Sequence, residues 1–512
     1  MQSKATGIVL TVALSAGAIF GLAGATLALA QGKEVKIGVI FDYTGPFAAG
    51  GSQAAAIGTK IAIDMVNAKG GIEGYKINAI YADAQSKAEV AINEATRLLE
   101  QERVDLIMGV YSSAHCVPMA QRVDAAKKFM WANVCVASSV FKGKNLQYVF
   151  RPQVHSDQFG AASCAFLNEN AKAKLKKDPK GLKVAIIYED GPYGAGVAQG
   201  NEEICKKFGM DIVLKEGYAA TAPDLSSLIT KLRRARADVI LHTGYNPDIT
   251  LFWRQAREQG LKWAALIGHG AGYGQYDKLK ESLGKDAEYI YNVDPVAAQL
   301  LDPKTLKPGV GALTQEMVKR YRAETKAAEI PPHASMGFNQ TWIFLNDVLP
   351  RAIKQHGGKD AEYIYNVDPV AAQLLDPKTL KPGVGELTQE MVKRYRAETK
   401  AVEIPPHASM GFNQTWIFLN DVLPRAIKKH GGKDPEALKK AALETDIPDG
   451  GTIQGYGVKF FGPGHPMSGQ NERSSPVVMQ YVKDQTKIVW PSPLRTIDPV
   501  LPLPKGHSYS NQ

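Results

Sequence analysis

Residues 35–41 (VKIGVIF), running into Asp42-Tyr43-Thr44-Gly45-Pro46, decide how this chain is read. The run is mostly apolar and does not alternate with polar residues beyond Lys36, and a Gly- and Pro-containing turn ends it before a helix predicted over 54–67. A strand covered by helices on both faces has this pattern, whereas a half-exposed strand alternates. The same signature returns at 183–188 (KVAIIY). After the first copy, strands predicted at 75–81, 104–109 and 129–134 alternate with helices at 86–101 and 114–126. Ser86-Lys87-Ala88-Glu89 reads as a capping box for the first of these helices. After the second copy, strands at 211–214, 239–241 and 264–267 alternate with helices near 196–208, 224–234 and 249–259. Two successive α/β units of similar size predict two parallel-sheet lobes. The extended piece 147–154 is the first crossing between them, and it leads into a helix over 158–170.

Composition agrees with that reading. The chain has 512 residues, too many for one core, so more than one domain is expected. The net charge of +10 is spread along the sequence. It favours anionic solutes over the nucleic acids that a basic stripe with interleaved aromatics would grip. Residues 1–30 read as an export signal: Lys4, an apolar run over 8–27, then Ala28-Leu29-Ala30 as the small-x-small cleavage pattern. A membrane anchor is the competing reading. Cleavage before Gln31, which is not a lipid-accepting cysteine, would leave the mature chain free in the periplasm. Four cysteines follow. Cys164 and Cys205 fall on neighbouring predicted helices and can pair in an oxidising compartment, whereas Cys116 and Cys135 read as buried free thiols. Their spacings match no zinc pattern, and no metal is expected.

Residues 284–357 recur at 358–431 with three differences: Ala312/Glu386, Ala328/Val402 and Gln355/Lys429. Two copies so close look like one in-frame duplication, unlike a solenoid's many diverged units. Each copy carries one strand-like piece and two helices, and one lobe has room for one set, so the spare copy must be extruded, form a surface appendage or compete for the native place. The expected division is 31–150 for the first part of lobe 1 and 151–288 for lobe 2. Residues 289–445 return to lobe 1 with the duplication, and 446–512 complete lobe 2 and wrap its surface.

Ligands of parallel α/β sheets meet the carboxyl ends of the strands. Those ends hold Asp42 to Gly51, Gly109-Val110-Tyr111-Ser112-Ser113-Ala114-His115, Glu189-Asp190-Gly191-Pro192-Tyr193-Gly194, His242-Thr243-Gly244-Tyr245 and Gly268 to Gly274. In and beside these ends, the Thr44-Gly45-Pro46 turn, Ile107-Met108-Gly109 with Ser112-Ser113, Asp190 with Tyr193-Gly194, Gly244-Tyr245-Asn246-Pro247, and Arg254-Gln255-Ala256-Arg257 with Gly260-Leu261 resemble the periplasmic branched-chain amino-acid binding proteins, the Leu/Ile/Val-binding family of ABC importers. The resemblance implies a type I periplasmic binding protein: two Rossmann-like lobes, three hinge crossings, and closure around a solute that is handed to an inner-membrane permease. It implies no cofactor and no catalysis, and a monomer is expected. Ser113, seconded by Ser112, matches the serine that holds the solute carboxylate, and a helix start with free N–H groups suits an anion. Val134 and Val136 match a further carboxylate-contacting segment, Val136 standing where the family has a hydroxyl residue. Tyr193 and Tyr245 match aromatics that fold over the solute, and Phe47 lies in the facing loop. Two departures bear on specificity. Gly270 stands where amino-acid binders carry the acid that pairs with the ammonium, and Gly50 stands where an aromatic commonly walls the pocket. Both point to an aromatic or otherwise bulky carboxylate. His242, His269 and Tyr273 are candidates to donate to ring hydroxyls, and Asp42, Asp190 or Asp248 to replace the missing acid.

Three other readings are weaker. Gly268–Gly274 imitates a dinucleotide fingerprint but follows a late strand. Glu189 beside Asp190 reads as a solvated loop before it reads as a glycosidase pair. His333, repeated as His407, gains no meaning from being duplicated. A sensory module that signals to a membrane receptor or kinase would use the same cleft as a transport receptor.

Overall fold

In a computed structural model, the structure describes residues 34–295, 300, 310–325, 331–346, 415, 418–448, 457–483 and 485–512. The expected signal segment and most of the second repeat copy lie outside the described residues.

Two open sheets form the two lobes. The first contains β1 (Glu34–Phe41), β2 (Lys76–Asp83), β3 (Leu106–Gly109), β4 (Phe129–Ala132) and β5 (Val149–Phe150) in the order β2-β1-β3-β4-β5, all parallel. The apolar sides of 35–41 explain its place. Val35, Ile37, Val39, Ile40 and Phe41 are all fully buried, because α1 (Gln53–Ala68), α2 (Ala88–Glu100) and α3 (Ser113–Ala125) cover the sheet. The second sheet is built on β6 (Lys183–Glu189), flanked by β7 (Asp211–Tyr218) and β8 (Val239–Thr243). It continues through β9 (Ala265–His269) and β10 (Tyr291–Asp294). The short β11 (Asp446–Ile447) and β12 (Val458–Lys459) pair with each other, while β13 (Val477–Val482) and β14 (Gln485–Trp490) close the second sheet antiparallel. Its helices include α4 (Ser156–Asn170), α5 (Pro192–Lys207), α6 (Ser226–Ala235), α7 (Asn246–Glu258) and α8 (Tyr276–Leu283).

The chain passes between the sheets near 151–155, again after β10, and a third time near 472–476. Arg151 fastens the first crossing to the third. Its guanidinium, fully buried, donates to Gln470 Oε1 at 2.6 Å and to the carbonyls of Cys135 and Ala137 at 3.1 and 2.8 Å. The C-terminal tail does more than wrap the surface. Tyr509 stacks on Trp263 at 4.7 Å and donates to the Trp253 carbonyl at 2.7 Å, so the last residues belong to the core of lobe 2.

Three local expectations are corrected. Cys116 and Cys135 are not free thiols: α3 and the loop after β4 bring their Cα atoms to 6.3 Å and the sulfurs are bonded, as are those of Cys164 and Cys205. No spacing rule exposes the first pair, since its closeness is set by strand order. The capping box at 86–89 does not form. Lys87 takes the position before α2, and Ser86, at φ +56°, accepts instead from the Phe47 N–H at 3.0 Å. Glu189 is buried, not solvated, because its carboxylate accepts from the Gly191 N–H at 2.7 Å and from Gly194 at the start of α5.

The duplicated segment meets one docking place. From the first copy, α9 (Val310–Thr325) and α10 (Pro332–Asn346) return to lobe 1, where α10 packs on α1 and its Gln340 carbonyl accepts from Trp131 Nε1 at 2.8 Å. From the second copy, α11 (Leu423–Lys428) and then the unique α12 (Pro435–Leu443) continue the lobe. Phe344 and its equivalent Phe418 fall on the same spot against Phe129 and Trp131, and Thr341 and Thr415 both reach Asn133 and Met108. Two side chains cannot fill one volume, so the copies are alternatives for a single position. A chain lacking 358–431 is therefore expected to fold with unchanged helical signal and a thermal transition at least as high and as sharp as that of the full chain. Loss of the cooperative transition in that deletion would show that the second copy is needed.

Candidate functional site

The carboxyl ends of β3 and β4 face those of β6, β8 and β9 across the gap between the lobes. Six of the residues singled out in the sequence, Ser113, Val134, Val136, Tyr193, Tyr245 and Gly270, line one inner cavity there, with Tyr111, Phe159, Ala271, His333 and Met336. The cavity is only 20 Å³, room for a water molecule and not for an organic acid. A wider cleft of 410 Å³ opens beside it, walled by Ala48, Gln53, Gly274, Gln275, Tyr276 and Tyr321 among others.

On the lobe 1 side, the site is a helix start. Ser112 precedes α3 in extended conformation, and Ser113 opens the helix. The first N–H groups of any helix have no partner within it. The Ser113 hydroxyl oxygen accepts from the N–H groups of Val136 and Ala137 at 3.3 and 3.1 Å. With its oxygen so engaged, the hydroxyl keeps its own hydrogen for a further acceptor. Apolar Val136 thus serves through its backbone: it helps hold Ser113 in place where the family pattern has a side-chain hydroxyl. Arg151 braces the same loop from behind through Cys135 and Ala137.

On the lobe 2 side, aromatic rings close over this start. Tyr245 lies 4.4 Å from the Phe47 ring of lobe 1, 5.5 Å from Tyr193 and 6.2 Å from Tyr111. The Tyr193 hydroxyl donates to the His269 carbonyl at 2.6 Å. Gly272 permits this arrangement, because a Cβ there would stand 2.6 Å from the Tyr245 carbonyl carbon. Gly50 sits in the tight turn Ala48–Ser52, whose Ala48 and Ala49 wall the wider cleft.

The histidines expected to meet a ligand point elsewhere. His269 Nδ1 lies 2.9 Å from Thr243 Oγ1 and its Nε2 lies 3.2 Å from Ser163 Oγ. His242 bridges the hydroxyls of Tyr218 and Tyr273 at 2.7 and 2.6 Å. Both rings and Tyr273 are fully buried inside lobe 2, where they brace the strand ends and do not face the cleft. Parallel strands bury these side chains among one another, which strand-end position alone does not reveal. Of the three carboxylates expected to replace the missing acid, Asp190 is exposed. Asp248 is spent on the Tyr245 N–H at 2.9 Å and the Tyr218 hydroxyl at 2.7 Å. Asp42 accepts from the Ser86 N–H at 2.9 Å and lies 3.5 Å from His115 Nδ1. His333 was passed over in the sequence, yet it lines the cavity with its ring 5.2 Å from Tyr111. The Pro331-Pro332 pair that launches α10 was the one signal of its placement.

With this geometry in place, the comparisons with known proteins can be read. A model of the periplasmic binding protein family matches residues 34–349. The chain belongs to that family. Among its relatives, a Leu/Ile/Val-binding protein homolog 7 of Brucella suis biovar 1 is 29% identical over 480 residues, covering 94% of this chain and 96% of the relative. A homolog 8 of Brucella abortus is 29% identical over 477 residues, covering 93% and 95%. Solved periplasmic binding proteins share the fold. A leucine binding protein of Thermotoga maritima superposes with a TM-score of 0.61 at 18% identity, covering 89% of this chain and 97% of its own. A solute binding protein of an ABC transporter from R. palustris, solved in complex with 4-hydroxybenzoate, gives 0.56 at 15%, covering 89% and 95%. The two-lobed α/β architecture is that of the type I periplasmic binding proteins.

The buried lobe 2 network has a pH signature. Burial lowers His242 and His269 to about 3, so each stays neutral in the folded protein while the unfolded chain takes up a proton below about 6.5. Burial raises Asp248 to about 7, which acts in the opposite sense between about 4 and 7. Within this network the two histidines outweigh the one acid, so its contribution to stability is expected to fall as pH drops from 6.5 towards 4. In His242→Gln the thermal midpoint should lose less over that range than in the parent. An identical slope in the two proteins would remove the network from the explanation.

Proposed function

We propose that this periplasmic binding protein is the solute receptor of an ABC importer, free in the periplasm after removal of residues 1–30. It captures a small carboxylate between its lobes and delivers it to inner-membrane permease subunits. The carrying observation is the coincidence of Ser113, at the start of α3 with its hydroxyl oxygen already accepting two backbone N–H groups, and a cavity closed from across the gap by Tyr193 and by Tyr245, whose ring packs on Phe47 of lobe 1. An anion is stabilised by a helix start and by a positioned hydroxyl donor. Aromatic walls contribute area and stacking to whatever the carboxylate carries. Nothing in this arrangement calls for bond-breaking, so binding without turnover is the reading it supports.

We favour an aromatic or phenylpropanoid acid as the solute. Gly270 places no acidic side chain of its own in the cavity opposite Ser113, and burial pushes the carboxyl behind it, Asp294, towards its uncharged form, a poor partner for an ammonium. The aromatic lining and the 4-hydroxybenzoate held by one structural neighbour support the same choice. The second reading is a branched-chain or other amino acid, favoured by the Leu/Ile/Val-binding names of the relatives. In a thermal-shift screen a ligand at 100 times its Kd adds about 2.7 kcal/mol of stability. Aryl carboxylates are expected to score and leucine and valine are not; a leucine response without an aryl-acid response would reverse the choice. For the best hit, Ser113→Ala should weaken binding on the order of 10- to 100-fold, the value of a hydrogen bond to a charged group. Calorimetry showing unchanged affinity would remove Ser113 from the site.

A further inference from the structure

The acid that Gly270 lacks is present one strand away. Asp294 ends β10, which runs parallel to β9 with Val293 opposite His269, so its side chain stands beside Gly270 at the strand ends. Its carboxyl is fully buried, and among the described residues Asn292 Nδ2, on the same face of the strand, donates to Oδ2 at 3.2 Å. Oδ1 has no hydrogen-bond partner among the described residues. Two glycines separate this group from the gap between the lobes. A Cβ on Gly274 would lie 2.6 Å from Oδ2, and one on Gly270 would lie 3.7 Å from Oδ1 and 3.0 Å from the Tyr193 hydroxyl. Gly274 walls the wider cleft and Gly270 the inner cavity. The open oxygen is therefore on the Gly270 side, screened from the cavity by a residue without a side chain.

A buried carboxyl oxygen without a donor is costly, and sites of this kind are completed by a ligand or a water. We propose that Asp294 recognises a hydroxyl group on the solute, remote from the carboxylate held at Ser113, which makes hydroxylated aryl carboxylates the preferred class. The inference rests on the aryl-carboxylate reading given above. The donor count favours a hydroxyl over an ammonium. A ring hydroxyl matches the one open oxygen with one donor and can accept in return, whereas an ammonium brings three donors and no acceptor. Burial raises the Asp294 carboxyl well above its ordinary range, which disfavours the charged form, and a hydroxyl, able to accept as well as donate, pairs with the carboxyl in either form.

The test uses matched acids, benzoate against 4-hydroxybenzoate and 3-phenylpropanoate against its 4-hydroxy derivative, titrated calorimetrically into the full mature chain. In the parent protein the hydroxyl is expected to tighten at least one pair about tenfold. Asp294→Leu should erase that preference while leaving the plain acid within a few-fold, and Asp294→Asn, which keeps an acceptor oxygen, should retain part of it. Unliganded thermal midpoints report whether each variant folds; should Asp294→Leu not fold, the parent and Asp294→Asn decide the question. Equal affinities within every pair in the parent, or a preference unchanged in the variants, would overturn the role of Asp294 and leave the aryl-carboxylate reading standing. Failure of every aryl acid to bind would overturn both. Leucine binding that releases a proton in the parent and is lost in Asp294→Asn would assign the carboxyl to an ammonium instead.

Discussion

A single hydroxyl holds the lobe 1 half of the site together. Ser113 Oγ accepts from Val136 and Ala137, and so joins the start of α3 to the loop after β4. Those elements follow adjacent parallel strands, and in this topology their loops meet at the carboxyl edge of the sheet. The Cys116–Cys135 bond ties the same two elements a few residues away, and Arg151 grips the carbonyls of Cys135 and Ala137 from the first crossing. The proposed carboxylate position is thereby built before any ligand arrives. Preorganisation of this kind lowers the ordering cost of binding.

Lobe 2 has a different task. Its Tyr245 ring meets Phe47 across the gap and, with Tyr193, borders an inner cavity of only 20 Å³, so the proposed binding of a solute there requires the lobes to part. For the closed state to be reproducible, Tyr193 and Tyr245 must return to fixed places. Tyr193 is anchored on the His269 carbonyl, Tyr245 on Asp248, and Asp248 on Tyr218 and through it on His242. The buried histidines hydrogen-bond the strand ends beneath these aromatic caps. A fully satisfied buried network imposes that uniqueness at the cost of pH sensitivity.

Much of this was legible in the sequence. Unalternated runs at 35–41 and 183–188 reveal strands covered on both faces, and strand-end positions brought Ser113, Val136, Tyr193, Tyr245 and Gly270 to one cavity. What was not legible shares one cause: it depends on which strands and crossings lie side by side. The Cys116–Cys135 pair, the inward turn of His269, the entry of His333 from the third element set and the approach of Asp294 to Gly270 all join residues whose separation in sequence carries no signal of contact. The duplication was visible at once, and its consequence, Phe344 and Phe418 claiming one place, follows from the density of a packed core.

The central claim is that the negative charge of the solute is held at the start of α3. It is tested most directly by calorimetric comparison of the best-binding acid with its primary amide, which keeps the shape and removes the charge. A loss of affinity of about 100-fold or more for the amide is expected, since hydrogen bonds to a charged group are worth about 1.5–3 kcal/mol each. Equal affinities for acid and amide would contradict the account.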